Sequence, residues 1–140
     1  MMNSEEKEQD KPVLPEIQCA IDKLYEFRNN FFLTHPASDA IKKPELLRKE
    51  LKDVMDLIEQ YANMLNKSSY YLCIGQASSV LPDFDSVAFE ALSKAVKLDP
   101  SSVEAWNLLG ECFWKKGDVQ SARNCFTDAL KWKTNKVILF

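Results

Sequence analysis

Four cysteines and a single histidine are the residues whose side chains could act as nucleophiles or metal ligands in this 140-residue chain. Cys19, Cys73, Cys112 and Cys125 include no Cys-x-x-Cys pair, and His35 stands far from all of them in sequence. A zinc site needs thiolates and imidazoles at short, paired spacings, so no metal site is expected. Three glycines are too few for a phosphate-cradling loop of the usual kind, and no Ser-His-Asp pattern or recognisable pair of acids is present. His35 precedes Pro36 and reads as a solvated turn residue. The expectation is therefore a protein without catalysis and without a cofactor. Cys112 and Cys125 fall among apolar positions, where a free thiol behaves as a small hydrophobe.

The chemistry left is that of binding. Lys94 and Lys97 are three apart on an expected helix and so share a face. With Trp114 and Lys115 they make up the candidate partner-binding set: ammonium groups for an anionic surface and an indole for an apolar contact. Residues 94–140 hold 8 basic and 5 acidic side chains, whereas residues 1–93 hold 10 and 16. The basic half could attract an acidic protein or a phosphate backbone. The alternative is an ordinary solvated helix surface, since Glu90 sits four residues before Lys94.

The elements that must position these side chains are set by one motif. Trp106, Leu109, Gly110, Phe113, Gly117, Ala122, Phe126 and Ala129 have the spacing of a tetratricopeptide repeat. In such a unit two helices meet where small residues permit close approach and aromatics fill the gap. Gly117 suits a left-handed position after the first helix, and Asp118 can cap the second. Ser101 and Glu104 have capping-box spacing. Thr134 stands where a closing proline is expected.

A degenerate copy precedes it. Tyr71, Ile74 and Gly75 match Trp106, Leu109 and Gly110, and Ala88, Leu92 and Ala95 match Ala122, Phe126 and Ala129. One extra residue falls in its turn, around residues 81–84. Pro100 closes it.

Upstream, Ile17, Ile21, Leu24, Phe27 or Arg28, and Phe31 recur at helical steps from about Pro15, until Pro36 stops them. A second helix is expected from about Pro44 to Asn66, with Leu47, Leu51, Val54, Met55, Ile58, Tyr61, Ala62 and Leu65 as its apolar stripe. The two should pair as an antiparallel hairpin. The resulting expectation is an all-α protein, an α-solenoid of tetratricopeptide-type helix pairs preceded by a long helical hairpin. Its parts are a disordered acidic tail over 1–11, the hairpin over 12–66, a degenerate repeat over 67–100, a full repeat over 101–136 and a truncated end at 137–140. The start carries no secretory signal, and no apolar run is long enough to span a bilayer. The expected location is cytoplasmic and nuclear, with no membrane contact and no sequence-specific nucleic-acid binding.

Residues 92–100 (LSKAVKLDP), with Val103-Glu104-Ala105-Trp106-Asn107 and Trp114-Lys115-Lys116-Gly117-Asp118-Val119, carry a more specific likeness. So do Lys11-Pro12-Val13-Leu14, Leu24-Tyr25, Phe27-Arg28 and Thr34-His35. The chain resembles the amino-terminal portion of a family of tetratricopeptide-repeat scaffolds that also carry further repeats and a carboxy-terminal oligonucleotide/oligosaccharide-binding barrel. That resemblance implies a ribosome-associated adaptor that recognises nascent tubulin and promotes tubulin mRNA decay, with Lys94 and Lys97 facing the ribosome. It also implies a nuclear stress-response co-factor, bridging an acetyltransferase co-activator and a damage-response transcription factor. A third expectation is a truncation with no partner of its own. The basic and asparagine clamp used for chaperone tails is not expected, because Leu72, Gln76, Asn107 and Glu111 hold the matching places.

Overall fold

A computed structural model describes residues 4–138 of the chain, with side chains over residues 13–133. Its helices are α1 (Ser4–Asn29), α2 (Phe31–Thr34), α3 (Lys43–Gln60), α4 (Lys67–Ser78), α5 (Ser86–Leu98), α6 (Val103–Lys116) and α7 (Val119–Ile138), with short 3-10 turns at Ala37–Ile41 and Ala62–Met64. The protein is all-α and of tetratricopeptide type, as its sequence implies. It divides into two compact units, Met1–Asn66 and Lys67–Phe140.

In the first unit α1 packs against α3. The residues that meet are those of the helical period: Val13, Ile17, Ile21, Leu24 and Phe31 from the amino-terminal side, Leu47, Val54 and Ile58 from α3, all buried. Burying a side chain of this size contributes roughly 1.5–3 kcal/mol. Pro44 opens α3 at its first turn, where the missing N–H has no intrahelical partner to lose, so no kink results.

Three expectations for this unit need correction. The first helix begins at Ser4, not near Pro15, so residues 4–11 are helical where a tail is expected. Residues 5–9 are all Glu, Lys or Gln, which are good helix formers. Residues 1–3 lie outside the described residues. The second helix ends at Gln60, short of Asn66, because the Tyr61 N–H shares itself between the Leu57 and Ile58 carbonyls and tightens the last turn. Leu65 is nevertheless buried, reaching inward from extended backbone. His35 is not a solvated turn residue. Its ring stacks on Phe31 at a centroid distance of 4.1 Å, and Nδ1 lies 2.9 Å from Thr34 Oγ1 and 3.1 Å from the Phe31 carbonyl.

In the second unit α4 pairs with α5 and α6 with α7, and α6 also packs on both α4 and α5. A continuous core results: Ala88, Leu92, Ala95 and Val96 of α5 meet Ala105, Leu109 and Cys112 of α6, with Cys125 of α7. Small residues set the approach. A Cβ on Gly75 would fall 2.4 Å from Leu92 Cγ, and one on Gly110 would fall 2.6 Å from Phe126 Cε1. The two pairs hold the same places in successive repeats.

The helix ends differ between the repeats. Gly117 has φ 90°, and its N–H bonds the Trp114 carbonyl while Asp118 N–H bonds Phe113, a Schellman closure. Asp118 then caps α7 by accepting from Ser121 N and Ser121 Oγ, as its position predicts. These bonds hold its carboxyl below the usual range. In the first repeat Pro82 stands where Gly117 stands in the second, and proline cannot take a positive φ. The turn lengthens there, and Asp85 caps α5 through Ala88 N at 3.2 Å.

Two expectations fail in the second repeat. Ser101 and Glu104 do not form a capping box. Ser102 is the cap, accepting from Ala105 N at 3.2 Å, while Ser101 Oγ donates to Asp99 Oδ1 at 2.6 Å. Glu104 is instead taken by Gln76, whose Nε2 donates to it across the repeat boundary. At the other end α7 runs through Thr134 to Ile138, so no new unit begins at Val137. Threonine keeps the N–H that a proline would remove. Residues 139–140 of the expected truncated end lie outside the described residues.

Candidate functional site

Leu109, Gly110, Ala122 and Ala129 are buried, and Trp106 and Phe113 are partly buried against the core. Trp106 Nε1 donates to the Pro100 carbonyl at 2.7 Å, so the indole also ties its helix to the turn before it. Phe113 meets Phe89 edge to face at 5.2 Å. That geometry places the ring edge on the neighbour's negative face.

The four candidate partner-binding residues separate into two kinds. Lys94 and Lys97 are exposed on α5. Lys94 Nζ stands 5.1 Å from the Tyr71 ring centroid, and Lys97 lies in the last turn, where a cation offsets the helix dipole. Trp114 is 63% exposed, a large apolar surface open to solvent.

Lys115 belongs elsewhere. Its ammonium donates to the Ser79 carbonyl at 2.9 Å and the Leu81 carbonyl at 2.8 Å. It is partly buried and closes the end of α4, whose own sequence supplies no glycine cap. This lysine holds two repeats together and is not presented to a partner. Lys116 lies over Phe84 and Phe89, with Nζ 5.4 and 5.6 Å from their centroids. Pro82 at the glycine position signals that α4 needs a donor from outside, but not which residue supplies it.

The three buried thiols offer little reactivity. Burial, followed by the nearby Glu104 charge, pushes Cys73 up to about 11. Burial, then Asp128, does the same for Cys125. Burial also raises Cys112, in spite of Lys115. All three are buried and unpaired with one another; Cys19 is exposed. Among the described residues no group of His, Cys, Asp and Glu is placed to hold a metal ion, and no helix is long and apolar enough to cross a membrane. An open groove of about 330 Å³ in the first unit is lined by Lys23, Glu50 and Asp53 around Leu24, Val54 and Leu57. Both signs of charge rim it, so it selects no one ligand charge. Gln76, one of the four clamp positions, is buried against Glu104 and is not available to a peptide tail.

Residues 103–135 match the family model described as Tetratricopeptide repeat. Over 139 residues the chain is 43% identical to "Tetratricopeptide repeat protein 5" of Homo sapiens, 43% to that of Bos taurus and 42% to that of Mus musculus. Each match takes in 99% of this chain and 32% of the relative. The chain thus spans about a third of the length of the curated relatives it matches, and resembles an amino-terminal portion of them.

Proposed function

We propose that the chain is a non-catalytic adaptor that binds proteins, working as the amino-terminal part of a ribosome-associated scaffold that recognises nascent tubulin and promotes tubulin mRNA decay. What carries this reading is the likeness along nearly the whole chain, joined to one surface feature. Lys94 and Lys97 project from α5 three residues apart, exposed, with Lys94 steadied by Tyr71. Two cations on one helix face suit an anionic ribosomal surface, and their attraction falls with salt. Recognition of a nascent peptide needs the concave surface of several stacked repeats, so the share of this portion is docking. A location in the cytoplasm with access to the nucleus belongs to the same proposal.

Co-sedimentation with ribosomes tests it, using the chain and its Lys94→Glu/Lys97→Glu variant. The variant should be lost from the ribosomal pellet while its helical signal is unchanged. Equal pelleting of the two proteins removes the docking role. Capture of an acetyltransferase co-activator from nuclei, without ribosome association, favours the transcription co-factor role instead.

A further inference from the structure

Three large apolar side chains crowd the connection between α1 and α3, and all three face solvent. Phe32 is 52% exposed, Leu33 82% and Ile41 90%. Scattered exposed apolar residues are ordinary, whereas a cluster of them marks a surface that something covers. Leu33 and Ile41 stand almost wholly clear of the chain, so they line no groove, and a rigid partner would need a pocket matched to each. The backbone beneath them is closed. The Leu33 N–H bonds the Asn30 carbonyl at 2.9 Å, His35 N–H bonds Phe31 at 3.0 Å, Asp39 N–H bonds Pro36 at 2.9 Å and Lys42 N–H bonds Asp39 at 2.9 Å. Pro36 has no N–H to satisfy. Such a segment can leave water without stranding these amides, which is the condition a hydrocarbon medium imposes and an open loop fails. Phe31, 1% exposed, anchors it, meeting Phe32 edge to face at 5.2 Å.

Charge says what kind of surface this is. Residues 31–49 hold four basic and two acidic side chains, whereas the rest of residues 1–66 hold five basic and eleven acidic. The connection is the basic part of an otherwise acidic unit. One of its two acids, Asp39, lies 3.7 Å from Lys42 and is offset by it. Lys43 Nζ stands 5.2 Å from the Phe32 ring centroid and 5.8 Å from that of Phe31. An ammonium group therefore sits beside the very ring that is open to solvent. Lysine stems are long enough to hold their charge at the level of polar headgroups while apolar neighbours go deeper. Like charge sets two copies of this segment against one another, so a second chain is a poor occupant.

We propose that α2 and the turn after it dock on a phospholipid bilayer surface rich in anionic headgroups, with Phe32, Leu33 and Ile41 entering shallowly and Lys42 and Lys43 held among the phosphates. Apolar burial and attraction to anionic lipid act together there, and neither suffices alone. This is contact with a membrane surface, not passage across it. It departs from the expectation of no membrane contact, which rests on the lack of a spanning segment. The surface belongs to the first unit and is independent of Lys94 and Lys97.

Vesicle flotation of the whole chain provides the test, with phosphatidylcholine vesicles that contain either no phosphatidylserine or about one-third of it. The chain should favour the anionic vesicles by about tenfold or more. Leu33→Ser/Ile41→Ser, at exposed positions that leave the helical signal unchanged, should weaken this binding by about tenfold. Lys42→Gln/Lys43→Gln should weaken it several-fold, and Lys94→Glu/Lys97→Glu should leave it within about twofold. A Cys19→Ser/Ile41→Cys chain carrying an environment-sensitive dye should shift its emission to the blue on binding, which adsorption by charge alone does not produce. The proposal is overturned if neither vesicle is bound, if Leu33→Ser/Ile41→Ser binds as well as the natural chain, or if the dye reports no change. Loss of binding in Lys94→Glu/Lys97→Glu overturns it as well, by moving the contact to α5. So does capture of a soluble acidic protein that depends on Leu33 and Ile41 in the absence of vesicle binding.

Discussion

The ring of Phe126 occupies the space in which Gly110 would carry a side chain, with Cε1 only 2.6 Å from an ideal Cβ there. One repeat earlier Leu92 stands over Gly75 in the same way, its Cγ at 2.4 Å. In both places the partner helix comes so close that even a methyl group is excluded. This contact sets the spacing of each helix pair, and so the level at which the next helix can stack.

Replacing either glycine by alanine gains up to about 1 kcal/mol of helix propensity and incurs an overpacking cost of about 1–3 kcal/mol. Gly75→Ala should be the more damaging, with a net loss of about 1–2 kcal/mol, because the obstructing Cγ lies near the backbone of a fully buried leucine. Phe126 is partly exposed and its ring can tilt, so Gly110→Ala should cost less. Urea unfolding measures both. The cost of Gly110→Ala should shrink in a Phe126→Leu background, where the ring is gone.

Lys115→Met should lower stability by about 1–3 kcal/mol, the range for hydrogen bonds from a charged donor to groups otherwise left unsatisfied. The methionine keeps the length of the stem but leaves the Ser79 and Leu81 carbonyls without their donor. Hydrogen exchange should quicken at the end of α4 before it does elsewhere. A fully stable variant would show that water serves these carbonyls equally well.

Gly117→Ala tests backbone conformation alone, since nothing lies within 4 Å of the added methyl group. The left-handed φ of 90° should cost alanine about 1 kcal/mol, and Gly117→Asn less, because asparagine tolerates that region better. Melting temperatures should follow the order Gly, Asn, Ala.

The thiols give the chain a dependence on alkaline pH. Cys73 and Cys125 rise to about 11 from an ordinary 9.0, and burial is the leading cause in each. Between these values the unfolded chain has lost protons that the folded chain retains. Stability should therefore be level through neutral pH and decline from about pH 9 towards 11. Replacement of both residues by alanine should flatten the decline, as denaturant titrations across that range would show. At pH 8 an aromatic disulfide reagent should modify Cys19 promptly, and the other three only as fast as the protein opens.

Which of the site's side chains face solvent is largely legible in the sequence. Lys94 and Lys97 share an exposed face because a spacing of three on a helix requires it, and Trp114 is exposed because it falls off the packing stripe of α6. The bonds of Lys115 are not legible in that way. Along the sequence it is one more basic residue near a helix end, indistinguishable from Lys116. Its partners are carbonyl groups 34 and 36 positions away, and backbone acceptors leave no trace in side-chain identity. Glu104 was misread for the same reason: a local cap three residues away was the available explanation, while the true partner, Gln76, is 28 residues distant.

The sequence by itself determined the helices of the second unit, their pairing and the small residues at their crossings. Those follow from local periodicity, from glycine at a left-handed turn and from volume matched across a fixed spacing. Only the tertiary structure decided which polar groups serve the boundary between repeats and which remain free. A hydrogen bond across that boundary depends on where two helices stop in space, and the stop at α4 is set by a proline whose consequences are met by a lysine in another helix.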